Sequence, residues 1–198
     1  MKSCPSFPIA RLATGACLLA LAGIATAGNG PDPSRLPLCE SSAVEETCRL
    51  PLKHGQFDSF EGWRRHGLPS IGHDEGDNPY AALHVGAALS QAVFAHFGAP
   101  PQDVAYAVRF RVRADVGAGE IRATLSMSDD TGERTLPLGE TTTTARAGEW
   151  SDVALLVNGA AFAAPAHVLV TIANEGGNIV QVDDVALVQT EGAETLRR

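Results

Sequence analysis

The 198-residue chain has few of the residues that carry covalent chemistry, and few aromatic rings on which a ligand could stack. It contains four cysteines, two tryptophans and two tyrosines, and aromatic residues make up 6% of it. It lacks an H-E-x-x-H sequence and a glycine-rich phosphate loop that opens a helix. Residues 67–72 do not have the spacing of a G-x-S-x-G nucleophile elbow. These absences favour a protein that is not an enzyme.

The one long hydrophobic run lies at the N-terminus, at residues 12–24. Lys2 and Arg11 precede it, and the small-x-small sequence at residues 25–27 follows it. The run is shorter than the roughly 20 residues that a membrane-spanning helix requires. We therefore interpret residues 1–27 as a signal peptide, which predicts a secreted or periplasmic protein without a membrane span. A membrane anchor and a lipoprotein signal ending at Cys17 are the alternatives.

Basic residues are scarce in the remaining chain. The signal peptide holds two of the 15 Lys and Arg and none of the 23 Asp and Glu, which leaves 13 basic and 23 acidic residues, a formal charge of −10. A negative surface does not favour nucleic acid or anionic membranes as partners. We therefore expect no nucleic-acid partner.

Only two cysteines remain after cleavage, Cys39 and Cys48. An even number of cysteines in an exported chain predicts a disulfide, which for so short a loop stabilises the fold by roughly 2–3 kcal/mol. The eight residues between them do not match the spacing of a zinc knuckle. We expect this bridge to attach a proline-rich leader, residues 28–49, to the domain that follows.

From residue 50 onward, hydrophobic and polar residues alternate with the two-residue period of β-strands. In the segment 104–113, Val108 and Phe110 have the parity of the inward face, whereas Arg109 and Arg111 have the outward one. Further strands are predicted at residues 80–85, 89–97, 120–128, 134–138, 150–157, 167–173 and 178–188. The pattern predicts one all-β domain at residues 50–190, a jelly-roll β-sandwich of antiparallel strands, followed by a tail at 191–198.

Two segments that bracket this domain carry a family resemblance. Residues 52–63 include Phe57-Asp58 and end in Gly62-Trp63, and the last strand contains Asp183-Asp184-Val185. They resemble the "N-G-x-F-E … G-W" opening and the "D-D/N-V" closing strand of galactose-binding-like jelly-roll domains, similar to the cellulose- and xylan-binding, CenC-like carbohydrate-binding modules. The resemblance implies a non-catalytic module that binds a polysaccharide or glycan, and the signal peptide predicts that it is secreted. The alternative is a structural or protein-interaction β-sandwich of the cell envelope or exterior, with no sugar site.

In the resembling modules, one outward sheet face forms a glycan groove. We expect Arg109, Arg111, Arg113 and Arg122 to share an outward face on two adjacent strands, where guanidinium groups could bind the carboxylate or sulfate of an acidic sugar. The alternative is a solvated face paired with acidic residues. Tyr80 is the ring that we expect to be exposed for a ligand.

The other rings are expected to pack in the core. They include Trp63 and Trp150, and Trp150 precedes a predicted strand, where the resembling family commonly keeps a core tryptophan.

The resemblance also implies a structural calcium ion. In similar modules the first Asp of the closing pair and the acid of "F-E" help to hold calcium, which takes six to eight oxygen ligands. Carried over, the ligands are Asp183 and Asp58, although Asp58 stands where Glu is usual and His54 replaces the opening Asn. The alternative is that Asp183 only accepts hydrogen bonds and pins the chain ends together. We interpret the acidic segment 73–78 as a solvated loop.

Overall fold

A computed structural model describes residues 32–39, 47–95, 104–129, 131–160 and 166–191. These ranges form one 3-10 turn at Pro33–Arg35 and the following strands: β1 Thr47–Arg49, β2 Arg64–His66, β3 Pro69–His73, β4 Pro79–Leu83, β5 Ala88–Phe94, β6 Val104–Ala114, β7 Ala118–Asp129, β8 Thr135–Arg146, β9 Ser151–Asn158, β10 Ala166–Asn174 and β11 Val180–Glu191. The all-β prediction is confirmed. Among the described residues, none forms a helix with the length and hydrophobicity that a membrane crossing requires.

The strands form two sheets of antiparallel pairs. The six-stranded sheet has the order β3-β4-β11-β6-β9, and β1 pairs with the C-terminal part of β11. The five-stranded sheet has the order β2-β5-β10-β7-β8. The two sheets enclose one hydrophobic core, which is the β-sandwich that the alternating sequence predicts.

The strand predictions agree with the structure where alternation is regular. The segments expected at 104–113 and 167–173 are Val104–Ala114 and Ala166–Asn174. The strand expected at 134–138 is longer, because β8 continues to Arg146 along the sheet edge. The short strands β1, β2 and β3 were not predicted, since three to five residues are too few to show a period.

The core is built from the inward residues of both sheets. On β6, Tyr106, Val108 and Phe110 are buried, whereas Arg109 and Arg111 are only half-buried, so the predicted register is confirmed. Trp63 is also buried, with its ring 5.4 Å from the ring of Phe57. Side chains of this size contribute roughly 1.5–3 kcal/mol each when buried. Their alternation therefore fixes which residues β6 leaves on the outside.

The two ends of the domain lie side by side. Strand β1 pairs with β11, and the N–H of Leu50 donates to the carbonyl of Leu187 at 2.9 Å. The predicted disulfide between Cys39 and Cys48 is confirmed, and it lies next to this pairing. The N–H of Val185 also donates to the carbonyl of Gly55, so the opening segment 52–63 and the closing strand of the family resemblance are neighbours.

A bulge interrupts β11 beside β6. The register with β6 shifts between Asp183 and Ala186, and Asp184 has a φ of 51°, an uncommon value for a residue other than glycine. The N–H of Val185, which is displaced from the ladder, donates to the carbonyl of Gly55 at 2.9 Å. A Cβ on Gly55 would overlap the carbonyl oxygen of Val185. The opening segment therefore holds the bulge that positions Asp184.

Candidate functional site

Polar and aromatic side chains are concentrated on the outer face of the six-stranded sheet. Strand register places Arg111 opposite Asp183, and Arg113 opposite Gln181. Both arginines alternate with the buried Val112, so they lie on the face away from the core. We call this surface the arginine–aromatic face; it comprises Tyr80, Arg111, Arg113, Trp150, Gln181, Asp183 and Asp184.

A fully buried carboxylate lies at the centre of this face. The side chain of Asp183 has 0% exposure, and its Oδ2 lies 2.8 Å from Nη2 of Arg111. The same oxygen accepts a hydrogen bond from Nδ2 of Asn78 at 2.8 Å, and Oδ1 accepts the N–H of Asp184 at 2.7 Å. A buried charge is tolerated only when it is paired and hydrogen-bonded, and both conditions are met here. The site therefore has a rigid centre.

Arg111 is shared between two carboxylates. Its Nη2 also lies 2.8 Å from Oδ2 of Asp184, whose side chain is 42% exposed. Burial, followed by the charge of Asp183, raises the pKa of Asp184, while Arg111 and a hydrogen bond from Gln56 act in the opposite direction. The positive charge of Arg111 is therefore already matched inside the protein.

Two aromatic rings meet above the arginines. The guanidinium carbon of Arg113 lies 4.6 Å from the ring centroid of Trp150, and that of Arg111 lies 5.2 Å from it. The ring of Tyr80 meets Trp150 edge-on, with centroids 6.2 Å apart. A Cβ on Gly72 would come within 2.6 Å of the Tyr80 ring, so the glycine makes room for this tyrosine. These distances match favourable aromatic and cation–π contacts.

The prediction that Trp150 is a core residue is wrong. Ser151 pairs with the inward Val112, so Trp150, one position earlier, has the outward parity. The ring is half-buried against the two arginines rather than in the core. The signal was present in the sequence, because Trp150 has the opposite parity to the inward residues Val153 and Leu155.

The structure separates the arginines that we expected to share a face. Arg109 and Arg111 lie on β6, but Arg122 lies on β7 in the other sheet, so the expected adjacency of β6 and β7 is wrong. The connection between these strands crosses from one sheet to the other instead of forming a hairpin. Arg122 pairs there with Glu175 at 2.6 Å. Tyr80 lies on the same face as Arg113, and its ring is half-buried, whereas we predicted it to be exposed.

The residues proposed for calcium do not fit a shared site. Nδ1 of His54 lies 2.7 Å from Oδ1 of Asp58 and lowers the pKa of this exposed carboxyl by its hydrogen bond. Asp183 has Arg111 and Asn78 as partners instead. In the part of the chain that the structure describes, no three His, Cys, Asp or Glu side chains are grouped so that they could hold a metal ion. Asp183 thus has a positively charged partner in Arg111, and the calcium site stays a prediction of the resemblance.

The acidic loop at 73–78 has a positioning role that the sequence did not indicate. Oδ1 of Asp74 accepts the N–H groups of Gly76 and Asn78, both at 3.0 Å. This closes the turn and fixes Asn78, whose side chain reaches Asp183.

Comparisons with known proteins identify the fold. No family model matches the chain, and no curated protein does. Among solved structures, the tandem CBM22-1-CBM22-2 domain of Paenibacillus barcinonensis Xyn10C superposes with a TM-score of 0.54 at 9% identity, over 77% of this chain and 48% of that one. This chain has the jelly-roll fold of carbohydrate-binding modules.

Two further solved structures match with lower TM-scores. TmCBM61, solved with β-1,4-galactotriose, has a TM-score of 0.49 and 19% identity, over 70% of this chain and 97% of that one. The CBM22-1-GH10 modules of Clostridium thermocellum endo-1,4-β-D-xylanase 10B, solved with xylohexaose, have a TM-score of 0.48 and 16% identity, over 67% and 26%. The chain thus spans about a quarter of that xylanase structure and about half of the tandem domain.

Proposed function

We propose that the chain is a secreted, non-catalytic carbohydrate-binding module whose ligand surface is the arginine–aromatic face. The observation that carries the proposal is the position of Trp150, half-buried on the outer face of the sheet and in edge contact with Tyr80. Sugar rings present flat apolar C–H faces, which pack on aromatic rings in the same way as other apolar groups. The fold shared with carbohydrate-binding modules supports the same assignment.

The surroundings of the rings suit a polyhydroxylated ligand. Asp184 offers acceptors, and Arg113 offers donors, on the same face as the two rings. Arg111 and the buried Asp183 fix the geometry beneath them. Because these groups are ordered before binding, little entropy is lost when a ligand binds.

The remaining parts of the proposal rest on sequence features. The hydrophobic run at 12–24 and the small residues before Gly28 support export, and the disulfide of Cys39 and Cys48 suits an oxidising compartment. The adjacent carboxylates of Asp183 and Asp184 share one arginine, and one of them is fully buried, which disfavours a general acid–base pair.

The experiment is a glycan array with the chain from residue 28 onward, followed by calorimetry on each polysaccharide that binds. We expect Trp150→Ala to weaken binding at least about tenfold. Phe94→Ala, which removes a half-buried ring from the other sheet, is the matched control and should bind like the unaltered protein. Gly72→Ala, which displaces the Tyr80 ring, should also weaken binding.

Thermal denaturation of each variant separates lost binding from lost folding. Binding to none of the polysaccharides, or equal losses in Trp150→Ala and Phe94→Ala, would overturn the proposal. The chain would then be better described as a structural or protein-interaction β-sandwich without a sugar site.

A further inference from the structure

The two arginines under Trp150 differ in their charge partners. Arg111 lies 2.8 Å from the carboxylates of both Asp183 and Asp184. Arg113 instead donates from Nε to the neutral Oε1 of Gln181 at 2.8 Å. Within the described ranges, Arg113 forms no ion pair, and its two terminal nitrogens donate no hydrogen bond. The face therefore contains one arginine whose charge the protein neutralises and one whose charge it does not.

Arg113 is also held in place. Its guanidinium stacks over the ring of Trp150 at 4.6 Å and over that of Tyr80 at 5.9 Å. Gln181 is held in turn, because its Nε2 donates to Oδ1 of Asp115 at 3.3 Å. Because Nε donates to Gln181, the two terminal nitrogens of the stacked guanidinium remain as donors for an anion. Two such donors form a strong bidentate contact with a carboxylate or sulfate.

We propose that Arg113 binds an anionic group on the same sugar polymer that stacks on Trp150, so that the ligand is an acidic polysaccharide. The anion is the carboxylate of a uronic acid or a sulfate ester, because both present two oxygens to the guanidinium edge. This inference rests on the proposed function and narrows its substrate class.

The negative charge of the rest of the molecule means that any preference for an acidic polymer must come from its contact with Arg113. The chain without its signal peptide carries a formal charge of −10, which repels an acidic polymer at long range. The face itself contains Asp183 and Asp184, whose charges Arg111 offsets, and Asp115 lies beside it. An acidic polymer that binds here must therefore gain its affinity from a local contact, and Arg113 is the cation placed to provide it.

The test compares ligands that differ only in charge. The acidic probes are glucuronoxylan, polygalacturonate, alginate and a sulfated galactan. Each uronate polymer is paired with its carboxyl-reduced form, and the sulfated galactan with its desulfated form. We expect at least one acidic polymer to bind about ten- to hundredfold more tightly than its neutral partner. A difference in affinity within a uronate pair identifies the anion as a carboxylate, and a difference within the galactan pair identifies it as a sulfate.

The protein variants assign the effect to one residue. Arg113→Gln should remove the preference for the acidic form, and Arg113→Lys should restore only part of it, because lysine lacks the bidentate fork. Arg64→Gln makes the same change in net charge at an exposed position of the other sheet and should keep the preference.

Three outcomes would overturn this inference, each in a different way. If neutral polysaccharides bind in a Trp150-dependent manner and their acidic counterparts bind no better, the ligand is neutral and only the present inference fails. If no polysaccharide of either kind binds, the proposed function fails and this inference fails with it. Equal loss of preference in Arg113→Gln and Arg64→Gln would show a general charge effect and exclude a site at Arg113.

Discussion

The outer faces of the two sheets have the same backbone geometry but different chemistry. The six-stranded sheet carries arginines, aspartates and two aromatic rings, whereas the five-stranded sheet carries a row of small hydroxyls: Ser90, Thr171 and Thr124. Each face has an arginine in a short ion pair, Arg111–Asp183 at 2.8 Å and Arg122–Glu175 at 2.6 Å. The distances are similar, but Asp183 has 0% side-chain exposure and Glu175 has 36%. Burial, and not distance, therefore decides how much stability the protein loses when the arginine of each pair is removed.

The largest expected effect tests this comparison directly. Arg111→Met leaves the buried carboxylate of Asp183 without a counter-charge, and we expect the free energy of unfolding to fall by about 3–5 kcal/mol. Arg122→Met removes a solvent-exposed pair, and we expect a change of about 0–1 kcal/mol. Urea denaturation of the two variants at neutral pH measures both values. Equal losses would mean that burial does not separate the two faces.

A smaller effect concerns Asp184, the exposed member of the carboxylate pair on Arg111. Its pKa is raised above 3.8 in the folded protein, so between 3.8 and that raised value the unfolded chain binds fewer protons than the folded one. The contribution of Asp184 to stability should therefore fall as pH rises through this window, and stay level above it. Asp184→Asn should lack this loss. Because the side chain is 42% exposed, we expect a difference below about 1 kcal/mol.

Urea denaturation at several pH values from about 3 to about 7 measures this difference. A gain in stability of the unaltered protein over Asp184→Asn across the window would contradict the raised pKa. The five-stranded face offers the control: Thr124→Val should leave the shape of the pH profile unchanged, since Thr124 has no titratable side chain.

The smallest expected effect concerns calcium. Asp183 already accepts hydrogen bonds from Arg111, Asn78 and its neighbouring N–H, so we expect calcium and chelator to give the same melting temperature. A ligand that binds only the folded state raises stability with its concentration. A rise with calcium that Asp58→Asn abolishes would restore the metal site that the family resemblance implies.

Several features could be predicted from sequence because they depend on local pattern. Alternation in residues 104–113 gave the correct inward face of β6, and the cysteine count gave the bridge of Cys39 and Cys48. The parity of Trp150 also predicts its outward position, whereas the core tryptophan common in the resembling family predicts the opposite. Asn78 and Gln181 carried no signal, because only their partners far along the chain make them part of the site.

The sequence by itself determined an all-β chain, the core-facing residues of β6 and the disulfide, since a two-residue period and a cysteine count can be read without knowing which strands are neighbours. Only the tertiary structure decided that β6 lies beside β11 and that β7 belongs to the other sheet. This arrangement places Asp183 beside Arg111 and Arg122 in the other sheet, and it leaves Arg113 without a carboxylate partner. The physical reason is that a side chain's face follows from its own strand, whereas its partners follow from the pairing of strands distant in the chain.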